Sequence, residues 1–247
     1  MTISISEDKT VCGREAALKG SCLIRKILKE KGRASIILAT GASQFEMLRQ
    51  LVLEDLDWSK ITVFHLDEYI GIPATHGASF RKYLKERFEE KVKDLKDFHY
   101  IQADAADLEG ELKRLNGLIS QTTIDVAFIG IGENGHIAFN DPPADFDVED
   151  PYIVVDLDEA CRRQQYGEGW FASLEDVPAR AVSMSVKQIM KSTHIINTVP
   201  DARKADAVAC SLNGEVSNLC PASILQTHAS CFSFFDRDSA AGIDLAH

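Results

Sequence analysis

Short apolar runs alternate with longer amphipathic stretches along most of the 247 residues. The apolar runs are nearly continuous, which is typical of strands buried on both faces of a sheet. The longer stretches repeat apolar residues at helical spacing, as Ala17, Ile24 and Leu28 do in the first of them. This pattern predicts strands at residues 35–39, 61–66, 124–129, 152–155, 181–185, 194–199 and 231–235. It predicts helices at residues 14–31, 43–53, 79–92, 106–120 and 202–212.

The order of these elements predicts the fold class. Strands and helices that alternate along a chain form a mostly parallel sheet with helices on both faces. No low-complexity linker or internal repeat divides the sequence, so we expect a single-domain, Rossmann-like α/β fold over residues 1–247. A globule of this length buries roughly 70–75% of its unfolded surface and needs no disulfide or metal to hold it together.

The net charge of −11 argues against two classes of partner. Nucleic acids and anionic membranes are both bound through basic patches, and we expect neither here. A phosphorylated substrate stays open, because it needs only a local cluster of amides and cations. The first residues lack the basic and apolar regions of a signal peptide, and no long apolar span follows. We therefore expect a cytoplasmic protein.

The six cysteines include no C-x-x-C pair and no spacing typical of zinc ligands. Several lie in apolar surroundings, as Cys210 and Cys231 do. This pattern predicts free, buried thiols in a reducing compartment and no metal site.

A glycine-rich string of the form G-x-G-x-x-G follows the predicted strand at 124–129, with Asp156 about twenty residues further on. This is the spacing of a dinucleotide-binding loop. Such a loop requires a helix to begin at the last glycine, because the N-terminus of that helix binds the pyrophosphate. Pro142 and Pro143 follow instead, and no amphipathic period appears. The sequence therefore argues against a dinucleotide cofactor.

His136 comes directly after this glycine-rich strand end, and Asp141 lies five residues later. A histidine oriented by a carboxylate is a standard acid–base pair, because the carboxylate selects the tautomer and stabilises the imidazolium. A lone histidine is more often structural. Its place at the end of a buried strand favours a functional role.

Asp67 and Glu68 end another predicted strand. Side chains alternate between faces in extended backbone, so the two carboxylates should not both point into one pocket. One of them is a candidate general base. An aspartate has an ordinary pKa of about 3.9, so a base near neutrality needs desolvation. The alternative is that both acids solvate the end of the strand.

Two segments are candidate anion sites. Ser43 and Glu46 fit a capping box at the start of a helix, but a strand, a glycine turn and a helix start can also bind an anion. Arg203 and Lys204 begin a later helix, where cations are slightly unfavourable unless an anion offsets them. Two irregular acidic segments, 141–150 and 166–171, are candidate lids or solvated loops.

Three strings resemble the glucosamine-6-phosphate deaminase/isomerase family: Leu66-Asp-Glu-Tyr-Ile-Gly71, Gly132-Glu-Asn-Gly-His-Ile-Ala-Phe-Asn140 and Ala39-Thr-Gly-Ala-Ser43. Supporting matches are His76 with Ser79-Phe80, and Ser223-Ile-Leu-Gln-Thr-His228. The resemblance covers nearly the whole chain in order. The Gly-His-Ile-Ala-Phe-Asn string is its specific part, because 6-phosphogluconolactonases share the fold but differ after the glycine–histidine pair.

The resemblance implies a cofactor-free reaction in which an amino sugar phosphate and water give a ketose phosphate and ammonia. His136 would act in opening the sugar ring, and Asp67 would move a proton from carbon 2 to carbon 1. The catalytic residues implied are Asp67, Asn134, His136 and Asp141. The substrate- or phosphate-binding residues implied are Gly41, Ala42, Ser43, Glu68, Gly135, Arg162 and Lys204, with Arg163 as the alternative to Arg162. The implied partner is a small-molecule phosphosugar, and a homo-oligomer is compatible with the resemblance.

The sequence departs from the usual family pattern at Asn134, Asp141 and Gln44. These departures leave open which phosphosugar is used, including the choice between gluco and galacto configuration. A lactonase or another phosphosugar isomerase on the same scaffold is an alternative, although Asp67 together with Phe139-Asn140 counts against the lactonase. A non-catalytic sugar-phosphate sensor is a further alternative, but no basic helix-turn-helix segment is present to serve it.

Overall fold

Residues 1–244, which the computed structural model describes, contain ten strands and seven α-helices. The strands are β1 (Thr2–Ser6), β2 (Ala34–Leu38), β3 (Ile61–His65), β4 (Asp67–Tyr69), β5 (Asp97–His99), β6 (Val126–Ile129), β7 (Tyr152–Asp156), β8 (Arg180–Met184), β9 (His194–Val199) and β10 (Cys231–Asp236). The helices are α1 (Lys9–Lys31), α2 (Phe45–Leu51), α3 (Phe80–Arg87), α4 (Leu108–Ser120), α5 (Glu159–Gly167), α6 (Val186–Met190) and α7 (Ala205–Asn213). None of these helices is both long enough and apolar enough to cross a bilayer.

Seven strands form a central sheet in the order β1-β10-β9-β6-β2-β3-β5, and all of its pairings are parallel. Consecutive side chains of a strand point to opposite faces. On one face Ile36 and Leu38 of β2 join the same core cluster as Ile24 of α1, and on the other Ile37 joins Leu115 of α4. The predicted α/β class, with a mostly parallel sheet and helices on both faces, is confirmed.

A second, three-stranded sheet has the order β4-β8-β7 and is antiparallel. The sequence pattern predicted strands at 152–155 and 181–185 but did not separate them from the central sheet. The signal for separation is visible in β7, where Tyr152 is buried and Val154 is 39% exposed. Such one-sided alternation is typical of antiparallel strands with a solvated face.

Several helix boundaries differ from the predicted ones for local reasons. Helix α1 begins at Lys9 rather than at residue 14, because the Asp8 side chain accepts hydrogen bonds from the amides of Thr10 and Val11. It ends at Gly32, whose φ of 71° is the left-handed conformation typical of a helix end. The predicted helices at 43–53 and 79–92 are reduced to α2 and α3.

The carboxyl ends of β2, β3, β6 and β9 lie at one edge of the central sheet, since these strands are neighbours and parallel. In open α/β sheets ligands bind at this edge. The segments that follow the four strands begin at residues 39, 66, 130 and 200. The fold therefore brings together four segments that lie far apart in the sequence.

Candidate active site

A cleft of about 300 Å³ opens at this edge of the sheet. Its walls come from the segments after β2, β3, β6 and β9 and from helix α5. The predicted site residues that line it are Gly41, Ala42, Ser43, Asp67, His136 and Lys204. The structure thus brings together residues from both ends of the chain in one cavity.

His136 and Asp141 form the pair that their spacing predicted. The Nδ1 atom of the imidazole lies 2.9 Å from Oδ1 of Asp141, and both side chains are buried. Burial opposes ionisation of Asp141, but the hydrogen bonds from His136 and Asn134 outweigh it and hold the pKa of Asp141 below its ordinary value. An ionised Asp141 selects the imidazole tautomer with Nδ1 protonated, so Nε2 is the atom available to exchange protons.

Asn134 and Asp158 fix the orientation of this pair. The Asn134 amide donates to Asp141 (3.0 Å) and to Asp158 (3.2 Å), while its oxygen accepts from the backbone N–H of His136. The other oxygen of Asp141 accepts from the backbone N–H of Asp158 at 3.0 Å. Both carboxylate oxygens of Asp141 are therefore occupied, which leaves it little freedom to move away from His136.

Gly132 makes room for the imidazole. A Cβ placed on Gly132 would lie 2.2 Å from Nε2 of His136, far inside van der Waals contact. The glycine N–H also donates to the His136 carbonyl at 2.9 Å. The glycine-rich loop therefore wraps the histidine, and no helix begins between β6 and Asp158 in the described chain. The helix start that a dinucleotide-binding loop requires at its last glycine is not found at Gly135.

Asp67 is buried at the cleft wall, 6% exposed, and its carboxylate has no hydrogen-bond or ion-pair partner among residues 1–244. Burial, with a smaller contribution from the negative charge of Glu68, raises the pKa of Asp67 well above its ordinary value. A carboxylate in this state is a stronger base than an exposed one. It has the character of a general base.

Ser43 lines the cleft and does not cap a helix. The capping box with Glu46 does not form, because a 3-10 turn (Ala42–Gln44) precedes α2 and Glu46 pairs with Arg49 instead. Gly41 has a φ of 93°, a conformation that favours glycine, and it turns the chain along the cleft. Of the two alternatives that the sequence left open, the capping box is not formed, and residues 41–43 line the cleft.

Lys204 lines the same cleft as residues 41–43. Its side chain is 4% exposed, and its ammonium has no hydrogen-bond or ion-pair partner within the described residues. Burial lowers the pKa of Lys204, although the carboxylates of Glu168 and Glu133 partly oppose this shift. A buried cation without a partner is costly to maintain. An anionic ligand at residues 41–43 would supply the missing counter-charge.

Comparisons with known proteins show which family the whole sequence matches. The family described as glucosamine-6-phosphate isomerases/6-phosphogluconolactonase matches residues 7–233. A glucosamine-6-phosphate deaminase of Streptococcus uberis (strain ATCC BAA-854 / 0140J) is 35% identical over 229 residues, which cover 92% of this chain and 96% of the relative. One of Bacillus cereus (strain G9842) is 34% identical over 225 residues, covering 91% and 84%.

The chain belongs to this family. A solved structure described as a monomeric glucosamine-6-phosphate deaminase superimposes with a TM-score of 0.87 at 31% identity, covering 98% of this chain and all of the other. A putative 6-phosphogluconolactonase of Neisseria gonorrhoeae FA 1090 superimposes with a TM-score of 0.75 at 19% identity, covering 96% of this chain and 99% of the other. The second likeness shows a shared fold.

Three residues that the family resemblance assigned to ligand binding do not line the cleft. Glu68 points away from Asp67, as strand alternation predicted, and its carboxylate accepts from Ser79 and Arg81. Burial raises the pKa of Glu68, although these hydrogen bonds oppose the shift. Gly135 does not line the cleft, and its carbonyl accepts a hydrogen bond from the Ala222 N–H at 2.9 Å.

Arg162 is the third. Its guanidinium donates to the backbone carbonyls of Leu174 and Val177 at distances between 2.9 and 3.2 Å. The alternative, Arg163, pairs with Glu159 on the exposed side of α5. Neither arginine reaches the cleft, whereas Arg203 does, while pairing with Asp201 and Glu133. Of the basic residues singled out from the sequence, Lys204 and Arg203 are the ones that line the cleft, and Arg162 and Arg163 do not.

Helix α5 contributes two cleft residues that the sequence analysis missed, Gln164 and Gln165, and Glu168, directly after the helix, lies in the 166–171 segment that was a candidate lid. The helix is polar and has no apolar stripe, which is why periodicity did not reveal it. Its start was detectable, because Asp158 caps it and Glu159 follows in the first turn.

All six cysteines lie within the described residues and all are free thiols, as predicted, but Cys22 and Cys210 are exposed, so the predicted burial is wrong for these two. Cys161 is buried beside the acid–base pair, so that its sulfur and the ligand atoms of His136 and Asp141 lie within 4.8 Å of one another. Burial raises the pKa of the Cys161 thiol, and the negative charge of Asp141 adds to the shift. The sequence spacing gave no sign of this cluster.

Proposed function

We propose that the protein converts glucosamine-6-phosphate, or a close epimer, and water into the corresponding ketose phosphate and ammonia. The observation that carries this proposal is the presence, in one cleft, of a buried ammonium (Lys204) and a buried carboxylate (Asp67) that both lack a hydrogen-bond or ion-pair partner among residues 1–244. The first suits a phosphate group and the second suits the removal of a proton from carbon. The His136–Asp141 pair lies in the same site.

The phosphate would be held by the backbone of residues 41–43, the Ser43 hydroxyl and Lys204. Arg203 lines the same end of the cleft and would add positive charge. This anchor orients the sugar so that its other end reaches Asp67 and His136. Holding the reacting carbon beside the base contributes to catalysis by removing the entropic cost of encounter.

Ring opening breaks the bond between carbon 1 and the ring oxygen. His136 would take the proton from the carbon-1 hydroxyl and return a proton to the ring oxygen through Nε2. Asp141 would stabilise the imidazolium that forms in between. The product of this step is the open-chain amino aldehyde.

Asp67 would then take the proton from carbon 2 and deliver a proton to carbon 1, while the carbon-1 oxygen gains a proton and the amino nitrogen loses one. Carbon 2 becomes an imine and carbon 1 becomes an alcohol, so the oxidation at one carbon balances the reduction at the other. Water adds to the imine and ammonia leaves, which gives the ketose. No step of this sequence calls for an external redox cofactor.

The test is the release of ammonia from glucosamine-6-phosphate and galactosamine-6-phosphate, measured in parallel. We expect turnover of one sugar, with kcat reduced about 10²–10⁴-fold in Asp67→Asn and in His136→Gln. Lys204→Met should raise KM at least tenfold with a smaller change in kcat, since a point charge that binds phosphate contributes throughout the reaction.

The matched control is Asp125→Asn, because Asp125 is buried but pairs with Lys31 at 2.7 Å and does not line the cleft. It should keep wild-type kcat at a temperature where the variant is folded. Absence of ammonia from both sugars, with the wild-type protein folded, would contradict the proposal. Hydrolysis of 6-phosphogluconolactone in that case would support the alternative enzyme of the same fold.

A further inference from the structure

Glu168 lies in the cleft at the end that we assign to phosphate. Its Oε2 atom is 4.0 Å from the position of a Cβ on Gly41. It is also the neighbouring carboxylate that most strongly opposes the fall in the pKa of Lys204. A negative side chain therefore lies next to Gly41, in the cleft that Lys204 also lines.

Neutral donors hold Glu168 in this place. Its Oε1 atom accepts from the Gln164 amide at 3.1 Å, and its Oε2 atom accepts from the Trp170 indole N–H at 3.1 Å. It makes no ion pair within 4.0 Å with Lys204 or Arg203. The carboxylate thus contributes negative potential to the anion end without neutralising either cation by direct contact.

The backbone around Glu168 permits movement. Gly167 and Gly169 flank it, and a Cβ on either glycine would meet nothing within 4 Å. Gly169 already has a φ of 81°. Glu168 itself is only half-buried. Rotation of this short segment could carry the carboxylate out of the cleft without disturbing the packed core.

We propose that Glu168 is a built-in competitor for the phosphate group. Its carboxylate lies beside Gly41 in the cleft. A phosphosugar or inorganic phosphate must displace this carboxylate in order to reach residues 41–43 and Lys204. Glu168 thereby weakens the binding of every phosphate-bearing ligand, including the product that has to leave. The inference deepens the proposed function and rests on it for the identity of the sugar, but not for the anion.

The first test measures the binding of inorganic phosphate by calorimetry at constant ionic strength. Glu168→Gln keeps the shape and the hydrogen bonds but removes the charge. We expect this variant to bind phosphate at least tenfold more tightly than the wild type, which corresponds to about 1.4 kcal/mol. For the phosphosugar, KM should fall by a similar factor while kcat changes less than threefold.

Glu133→Gln is the matched control. Glu133 lies near the same cations, at 3.4 Å from Arg203, but it does not line the cleft. It should change phosphate affinity less than threefold. Equal tightening in both variants would mean that only the general field matters and would overturn the proposal. Unchanged or weaker phosphate binding in Glu168→Gln, or no phosphate binding to any of the three proteins, would also overturn it.

A second test follows the displacement itself. The chain has two tryptophans, and Trp58 packs on Phe88 in the core, away from the cleft. In a Trp58→Phe background, Trp170 alone reports on its bond to Glu168. Saturating phosphate should change its emission, and an unchanged emission would overturn the proposal. If phosphate behaves as expected but no amino sugar phosphate is turned over, only the proposed reaction fails.

Discussion

Asp67→Asn should make the protein more stable at neutral pH while it lowers kcat by about 10²–10⁴-fold. The wild-type carboxylate is buried at the cleft wall and has no partner among residues 1–244. Its charge is disfavoured by burial and by the neighbouring Glu68. Asparagine has nearly the same shape but carries no charge, so the substitution removes the unfavourable term and leaves the packing in place.

The size of the effect follows from the charge alone, because the asparagine amide is still a buried polar group. Such a group costs about 1–3 kcal/mol, and more when it is charged. We therefore expect the free energy of unfolding of Asp67→Asn to exceed that of the wild type by about 1–3 kcal/mol at pH 8.

The gain should depend on pH in a defined direction. Because the pKa of Asp67 is raised in the folded state above its ordinary value of 3.8, the folded wild type binds more protons than the unfolded chain between the two values. Its stability then falls as the pH rises through this window, by at most about 1.4 kcal/mol per pH unit. The advantage of the variant should be smallest below pH 4 and should grow up to the folded-state pKa.

The assay is urea unfolding of both proteins at several pH values from 4 to 8. Asp125→Asn serves as the control with the opposite sign, because Asp125 accepts from Lys31 at 2.7 Å and from the Ser35 N–H at 2.9 Å. It should destabilise the protein by about 1–3 kcal/mol. If Asp67→Asn is equally or less stable than the wild type at pH 8, then Asp67 is not an uncompensated charge and its role as a base loses its physical basis.

Three other substitutions test the site. Asp141→Asn should lower kcat by about 10²–10⁴-fold, because a neutral amide no longer enforces the His136 tautomer. Since the pKa of Asp141 is lowered in the folded wild type, any stability that this carboxylate contributes should vanish as the pH falls below 3.8. Gly132→Ala should lower kcat by about 10–100-fold by displacing the imidazole, whereas Gly117→Ala on exposed α4 should leave kcat unchanged and add about 0.5–1 kcal/mol of stability. Arg162→Met should lower stability by about 1–3 kcal/mol yet change KM less than threefold; a tenfold rise in KM would restore Arg162 to the phosphate site.

The parts of the site that the sequence predicted are those with local signals. His136 and Asp141 are five residues apart on one loop, so their contact depends on little else. Strand alternation alone places Asp67 and Glu68 on opposite sides, and the structure agrees. The continuous apolar strands predict a parallel sheet. The loops that carry these residues follow the carboxyl ends of its strands and therefore lie at one edge of the sheet.

The parts that it did not predict depend on contacts between distant segments. Ser43 and Glu46 satisfy the local rule for a capping box, but the Gln44 amide donates to the Thr198 carbonyl at 3.1 Å, and the helix begins later. Arg162 matches a phosphate-binding position by family resemblance, yet its Nε and Nη2 atoms donate to carbonyls of the segment after α5. A sequence pattern does not reveal which of several acceptors an arginine will reach.

Burial shifts the pKa values of Asp67 and Lys204 in opposite directions. It raises the pKa of Asp67 and lowers that of Lys204, so each group is pushed towards its neutral form. A direct ion pair between them would remove both costs, but each lacks a partner in the described chain because the fold holds them apart. A ligand with a dianion at one end and an acidic carbon at the other satisfies both at once. The free energy that burial costs at these two residues is therefore recovered when such a ligand binds. This explains why the cleft keeps two ionisable groups without partners in the described chain.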